Sequence, residues 1–193
     1  MTKKIVLASS SPYRKELLNK LGIAFECDSP DIDETAKNNE TPQELVARLA
    51  EQKAKAVAER HPEALIIASD QVATLNGQIL GKPHTHENAV KQLTDAAGHH
   101  VLFLTSLALY NSTSGVVQLE VVPFSVHFRQ LKSSEIENYL NKEQPYNCAG
   151  SFKSEGLGIT LFKRLEGDDP NTLIGLPLIR LNEMLNKEGV TVI

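Results

Sequence analysis

Short apolar runs, each ending in small or polar residues, alternate along the chain with longer segments of helical period. Lys4–Ala8 reads as a buried strand running into Ser9-Ser10-Ser11-Pro12, where an N-capping serine and a proline at the first helical position start a helix. Gly22 ends that helix, and Ile23–Cys27 reads as a second strand before the acidic loop Asp31-Ile32-Asp33-Glu34. Thr41-Pro42-Gln43-Glu44 forms a capping box, in which Thr41 and Glu44 satisfy each other's backbone amides. The helix it opens carries Leu45, Leu49 and Ala56 on one face and is expected to run to Arg60.

Ala64–Ala68 is an apolar strand ending in Ser69-Asp70. Asn76-Gly77, between Val72–Leu75 and Gln78–Leu80, is a two-residue hairpin turn because both residues tolerate positive φ. A helix near Glu87–Ala97 stops at Gly98, and the turn Asn111–Gly115 joins the strands Val101–Tyr110 and Val116–Arg129 into an antiparallel hairpin. Ser133–Asn141 reads as a short capped helix, Tyr146–Gly158 as irregular, and Ile159–Leu165 as a strand. A last helix follows Gly175-Leu176-Pro177 and reaches Lys187. Crossover helices mixed with hairpins predict an α/β fold with a mixed, bent β-sheet flanked by helices.

The chain's 193 residues suffice for a single domain spanning 1–193, or for two tightly fused lobes. Its 41% hydrophobic and 23% charged residues point to a packed globule and not to disorder. A net charge of −4 argues against nucleic acid or an anionic membrane as partner, so a polyanionic ligand needs local basic residues. The apolar run after Lys3-Lys4 is too short for a signal-peptide core, and no other stretch approaches a membrane span. Cys27 and Cys148 lie far apart, and two thiols in a reducing cytosol is a simpler reading than a long-range disulfide.

Four segments place polar residues at the ends of apolar strands, where open α/β folds bind ligands. Ser9-Ser10-Ser11-Pro12-Tyr13-Arg14 offers helix-start amides, hydroxyls and an arginine to an anion; the competing reading is ordinary capping beside a solvated arginine. Asp31-Ile32-Asp33-Glu34 suits a hard cation such as Mg²⁺, against a merely solvated acidic loop. It is no EF-hand, since Ala36 and Pro42 stand where glycine and the bidentate glutamate are needed. Asp70, at the end of a buried strand, is placed as a general base or metal ligand, or as a turn-starter. Gly81-Lys82-Pro83 resembles the end of a Walker A loop but fails it, because Pro83 replaces the hydroxyl residue; Lys82 could neutralise a phosphate or simply occupy a surface turn.

No GxSxG, HExxH or complete GxGxxG occurs, and the six histidines lack zinc spacing, with His84 and His86 expected to be exposed. Arginine, lysine and carboxylates remain, which is the set used in phosphoryl chemistry with a metal-activated water.

In order, these segments resemble the Maf family of nucleotide pyrophosphatases. The match is carried by Leu7–Arg14, Asp33-Glu34-Thr35, Glu51-Gln52-Lys53-Ala54, Ala68-Ser69-Asp70, Gly81-Lys82-Pro83, Ala149-Gly150-Ser151-Phe152 and Asn171–Pro177, nearly the whole chain. The resemblance implies a Maf/Ham1-like (ITPase-like) fold, a cytoplasmic location and a divalent cation, Mg²⁺ or Mn²⁺. It also implies hydrolysis between the α and β phosphates of a small-molecule nucleotide, and it leaves a homodimer open. Family roles carry over as Asp70 for the catalytic base, Ser9, Arg14, Lys53 and Lys82 for phosphate, and Glu34 with Asp70 for the metal.

Within the family the chain looks closest to members acting on 7-methyl-GTP, on the strength of Tyr13, Gln71 and Glu155. Tyr13 departs from the tryptophan found there but keeps an aromatic face. N7-methylation leaves the purine cationic, and an aromatic face attracts it by about 0.5–2 kcal/mol. A carboxylate at 155 would accept from guanine's N–H edge and repel a uracil carbonyl. Without the resemblance, Tyr13 reads as a helix-surface aromatic and Glu155 as a solvated loop acid. The alternatives are a dTTP/UTP-type pyrophosphatase, or a nucleotide-binding regulator of septum formation.

Overall fold

A computed structural model describes residues 3–193. In chain order it contains β1 (Lys4–Leu7), α1 (Pro12–Asn19), β2 (Glu26–Cys27), α2 (Pro42–Ala58), β3 (Ala64–Ala68), β4 (Gln71–Leu75), β5 (Gln78–Leu80) and α3 (His86–Ala96). Then follow β6 (His100–Asn111), β7 (Val116–Phe128), α4 (Ser133–Glu143), β8 (Phe162–Glu166), α5 (Pro170–Ile174) and α6 (Leu178–Lys187), with 3₁₀ turns at Ala149–Ser151 and Leu157–Leu161. The chain divides into two compact units: the first comprises residues up to Gln71, Thr105–Val122 and Asp169–Ile193, and the second Val72–Leu104 and Pro123–Asp168.

In the first unit β1 lies between β2 and β3, parallel to both, and β3 pairs antiparallel with the second half of β6. The strand alternation sorts side chains into two cores. Ile5, Leu7, Leu65, Ile67, Leu107 and Leu109 join Leu17 and Leu18 of α1 and Leu178, Leu181 and Leu185 of α6. On the other face, Val6, Ala8, Ala64, Ile66 and Ala68 meet Ala50, Ala54 and Val57 of α2. Alanines on both sides let α2 approach β3 closely, and this turns its buried face to Leu49, Ala50, Lys53, Ala54 and Val57. Ala56, expected on that face, is only half-buried, and the helix ends at Ala58. The Thr41–Glu44 capping box forms as its sequence requires.

The second strand is shorter than expected. Only Glu26 and Cys27 pair with β1, because Ile23 and Phe25 turn into the leucine-rich cluster instead. The helix α5 has no counterpart in the sequence reading. Its N-cap is Asp169, a buried residue whose carboxylate accepts from the amides of Asn171 at 2.8 Å and Ile179 at 2.9 Å, so it also holds the start of α6.

In the second unit the β4–β5 hairpin closes through Asn76 (φ 50°) and Gly77 (φ 80°), as the turn residues dictate. β8 pairs antiparallel with β7. Phe103, Phe128, Phe152 and Phe162 interlock edge-to-face with ring centroids 5.0–5.5 Å apart, each such pair contributing about 0.5–1.5 kcal/mol beyond burial. β8 begins at Phe162 and not at Ile159. At Gly158 the chain doubles back so tightly that a Cβ would lie 2.1 Å from the Lys153 carbonyl oxygen, which bars extension there. Among the described residues no helix is long and apolar enough to cross a membrane.

Candidate active site

The first unit gathers most of the predicted residues at the carboxyl ends of β1 and β3. The parallel register Leu7↔Ile67, continued by the bond from the Ala8 amide to the Ile67 carbonyl (2.8 Å), brings Ser9 beside Ser69 and Asp70. Ser11 caps α1, and the buried Ser9 hydroxyl accepts from the Ser11 amide at 3.1 Å. The amides of Ser10 and Tyr13 have no hydrogen-bond partner among the described residues, so the turn keeps donors for an anion.

Lys53 projects from the alanine-rich face of α2 and is only 5% exposed. Its Nζ lies 2.6 Å from Asp70 Oδ1 and 2.9 Å from Glu34 Oε1. Asp70 is itself buried, whereas Glu34 is exposed on its loop. The Asp70 backbone is fixed by Ser106, whose hydroxyl accepts from the Asp70 amide at 3.0 Å and whose own amide donates to the Asp70 carbonyl at 2.8 Å. Asp70 Oδ2 has no hydrogen-bond partner among the described residues.

Arg14 donates from Nε to the Gly175 carbonyl at 3.0 Å, and the Ser69 hydroxyl donates to the same oxygen at 2.9 Å. Gly175 needs no Cβ here: its φ is 123° and a Cβ would meet Arg14 Nε at 3.4 Å. Burial pushes the Arg14 guanidinium below its ordinary pKa, and the charges of Asp70 and Glu34 oppose that. The Glu34 loop is tied down by Arg48, which donates to Glu40 and, from Nη2, to the Thr35 carbonyl at 3.1 Å. Arg48 and the Lys37 amide hold Glu40 at about 2. Sequence reasoning missed Arg48, Ser69, Ser106 and Gly175 as supports. Of these, Ser69 and Gly175 carried a signal, lying within the Ala68-Ser69-Asp70 and Asn171–Pro177 segments.

Tyr13 is exposed on α1. Gln71 is half-buried and donates from Nε2 to the Thr105 hydroxyl (2.7 Å) and to the carbonyls of Thr172 (2.9 Å) and Leu173 (3.2 Å). Carbonyls only accept, so this nitrogen is fixed and Oε1 is presented as an acceptor.

Lys82 and Glu155 belong to the second unit, where both are exposed on loops. They share the neighbourhood of Cys148: its thiol is pushed up by burial, with Lys153 and Lys82 pulling it down and Glu155 and Glu143 raising it. Both cysteines are free thiols. His84 is exposed as expected, but His86 is half-buried, bridging the Tyr146 hydroxyl (3.0 Å) and Glu137 (2.8 Å) as part of the packing of α3 on α4.

Asp70 and Glu34 form an all-oxygen donor pair already converging on one cation, the Lys53 ammonium. Among the described residues no group of three metal-ligating side chains occurs. Two carboxylates fit Mg²⁺ or Mn²⁺, since Mg²⁺ is commonly held by one or two carboxylates together with substrate phosphates. An arginine, a buried lysine and paired carboxylates gathered near the ends of parallel strands make a charged site in an α/β protein, with side-chain types that suit phosphates and a hard cation.

The chain belongs to the Maf family, whose model, described as "Maf-like protein", matches residues 4–188. It is 61% identical to a 7-methyl-GTP pyrophosphatase of Pseudomonas savastanoi pv. phaseolicola and 60% identical to one of Pseudomonas syringae pv. tomato, in both cases over 97% of this chain and 98% of the relative. Among solved structures, the Ham1 protein of Staphylococcus aureus aligns with a TM-score of 0.49 at 18% identity, over 67% of this chain and 74% of that one. Protein VC0702 of Vibrio cholerae aligns with a TM-score of 0.44 at 11% identity, over 98% of this chain and 99% of that one.

Proposed function

We propose that this protein hydrolyses 7-methyl-GTP to 7-methyl-GMP and diphosphate, with Asp70 as general base. The observation that carries the reading is the buried Lys53 ammonium shared by Asp70 and Glu34 at the end of β3. Such a cluster keeps Asp70 rigid while one of its oxygens stays free. The names of the two Pseudomonas relatives support the same reaction on the same nucleotide.

In the reaction, Asp70 Oδ2 takes a proton from water as the water oxygen bonds to phosphorus and the α–β anhydride bond breaks, releasing diphosphate. Arg14, Lys53 and Lys82 offset the phosphate charge, and the Ser9 hydroxyl, which accepts from the Ser11 amide, keeps its O–H to donate to a phosphate oxygen. Glu34 and Asp70 would hold Mg²⁺ or Mn²⁺, which supplies further neutralisation of charge on the phosphate oxygens. Tyr13, Gln71 and Glu155 read the base: an aromatic face for the cationic purine, and an amide oxygen and a carboxylate for its N–H groups. Two free cysteines suit a reducing cytoplasm, where we place the activity.

The test is diphosphate release from a panel of canonical and methylated nucleotides with Mg²⁺ or Mn²⁺. 7-Methyl-GTP is expected to give the highest kcat/KM, and Asp70→Asn to lower kcat by ~10²-fold or more with the fold intact. Preferential cleavage of UTP or dTTP would overturn the base assignment. Near-wild-type turnover in Asp70→Asn would remove Asp70 as the base.

A further inference from the structure

The second unit holds two loops to which the proposed function assigns work, Gly81–Thr85 with Lys82 and Ser151–Leu157 with Glu155. One side chain hydrogen-bonds to both. Gln92, half-buried on α3, donates from Nε2 to the Gly81 carbonyl at 3.0 Å and accepts on Oε1 from the Ser151 hydroxyl at 2.5 Å. The Gly81 carbonyl can only accept, so the amide orientation is fixed and its oxygen is committed to Ser151.

Ser151 is fully buried and has φ 63°, a left-handed conformation that a non-glycine residue adopts only when its surroundings impose it. It follows Gly150 at φ 75°, so the Glu155 loop starts from a two-residue left-handed turn whose side-chain anchor is Gln92. Other bonds hold each loop separately. Asn88 donates to the Pro83 carbonyl at 3.0 Å on one side. On the other, the Tyr139 hydroxyl accepts from the Lys153 amide at 3.1 Å and Glu143 from the Leu157 amide at 2.9 Å. Tyr139 and Glu143 lie on α4 and fix the middle and far end of the loop, which leaves its start to α3.

We infer that Gln92 is a positioning residue that, through Ser151, sets the Glu155 loop in register with the Lys82 loop and so contributes to base selectivity without touching substrate. The inference rests on the roles proposed for Lys82 and Glu155.

The clamp is tested first without substrate. Cys148 lies three residues before Ser151 and is half-buried, so its reaction with an aromatic disulfide reagent reports loop opening in a Cys27→Ser background. Gln92→Leu and Ser151→Ala are each expected to speed Cys148 labelling by at least ~5-fold, and the double variant to label no faster than Gln92→Leu alone, as for partners in one local opening. In turnover, the preference for 7-methyl-GTP over UTP is expected to fall by about tenfold in both single variants, while Asn88→Ala, which loosens the Lys82 loop alone, leaves that ratio in place. Unchanged labelling, additive labelling in the double variant, or an equal loss on both nucleotides would overturn the inference. Should Gln92→Leu not fold, Ser151→Ala decides by the same measures. Wild-type protein that fails to favour 7-methyl-GTP would sink the base assignment while leaving the labelling result to judge the clamp.

Discussion

Lys53 and Lys82 are both assigned to phosphate, yet the two units hold them by opposite means. Lys53 is packed among alanines with two carboxylates on its ammonium, at the end of a strand paired on both sides. Lys82 is exposed on a loop whose backbone is sewn by Asn88 and Gln92, and no carboxylate pairs with it among the described residues. In the first unit, the interaction proposed for the chemistry is therefore also one that holds the fold. In the second the two are separable, because loop backbones carry the structure and exposed side chains carry the charge.

The sharpest way to break this contrast is to remove each lysine. Lys53→Met leaves Asp70 buried and unpaired, and is expected to cost about 3–5 kcal/mol of stability along with activity. Lys82→Met is expected to change stability by no more than ~0.5 kcal/mol while slowing every nucleotide alike, since phosphate contacts carry no base information. Urea melts of both variants, scored beside turnover, check the pair; equal destabilisation would erase the distinction.

A smaller effect separates phosphate from base within the second unit. Glu155→Gln loses a charged acceptor worth about 1.5–3 kcal/mol, so kcat/KM for 7-methyl-GTP is expected to drop ten- to a hundredfold while UTP or dTTP turnover holds or rises. Tyr13→Ala, from the first unit, should lower only the preference for methylated over unmethylated GTP, by about 0.5–2 kcal/mol. Matching losses on all substrates would return both residues to a structural role.

The smallest effect concerns acid stability in the first unit. Arg60 and His61 pin Asp28 at the end of β2, and the bonds from Arg60 and then His61 hold its carboxyl at about 2, below the ordinary 3.8. A depressed folded pKa adds stability above the ordinary value, and that stability is lost as pH falls toward about 2. Asp28→Asn should therefore flatten the decline of melting temperature between pH 5 and pH 2. An unaltered slope would leave the acid limb to other carboxylates.

The local signals were legible in the chain alone: the Thr41 capping box, the Asn76-Gly77 turn, the Ser11-Pro12 helix start and the apolar run ending at Asp70. The caps and the turn are closed by residues a few positions apart, so their signals are local, whereas the apolar run becomes a strand only by pairing with β1 and β6. The ordered motifs likewise pointed to the family. Only tertiary structure could place Lys53 against Asp70 and Glu34, join Arg14 and Ser69 on the Gly175 carbonyl, or give Gln92 its two loops. Those contacts join residues far apart in sequence, and no periodicity encodes them. The same reason explains the misread segments. Ile23 and Phe25 left the expected strand for the leucine-rich core, and next to the backbone crowding at Gly158 the first three residues of the expected Ile159–Leu165 strand stay in a 3₁₀ turn, so that β8 starts only at Phe162. Short-range propensity proposes an element, and packing against distant residues decides whether it forms and which way its side chains face.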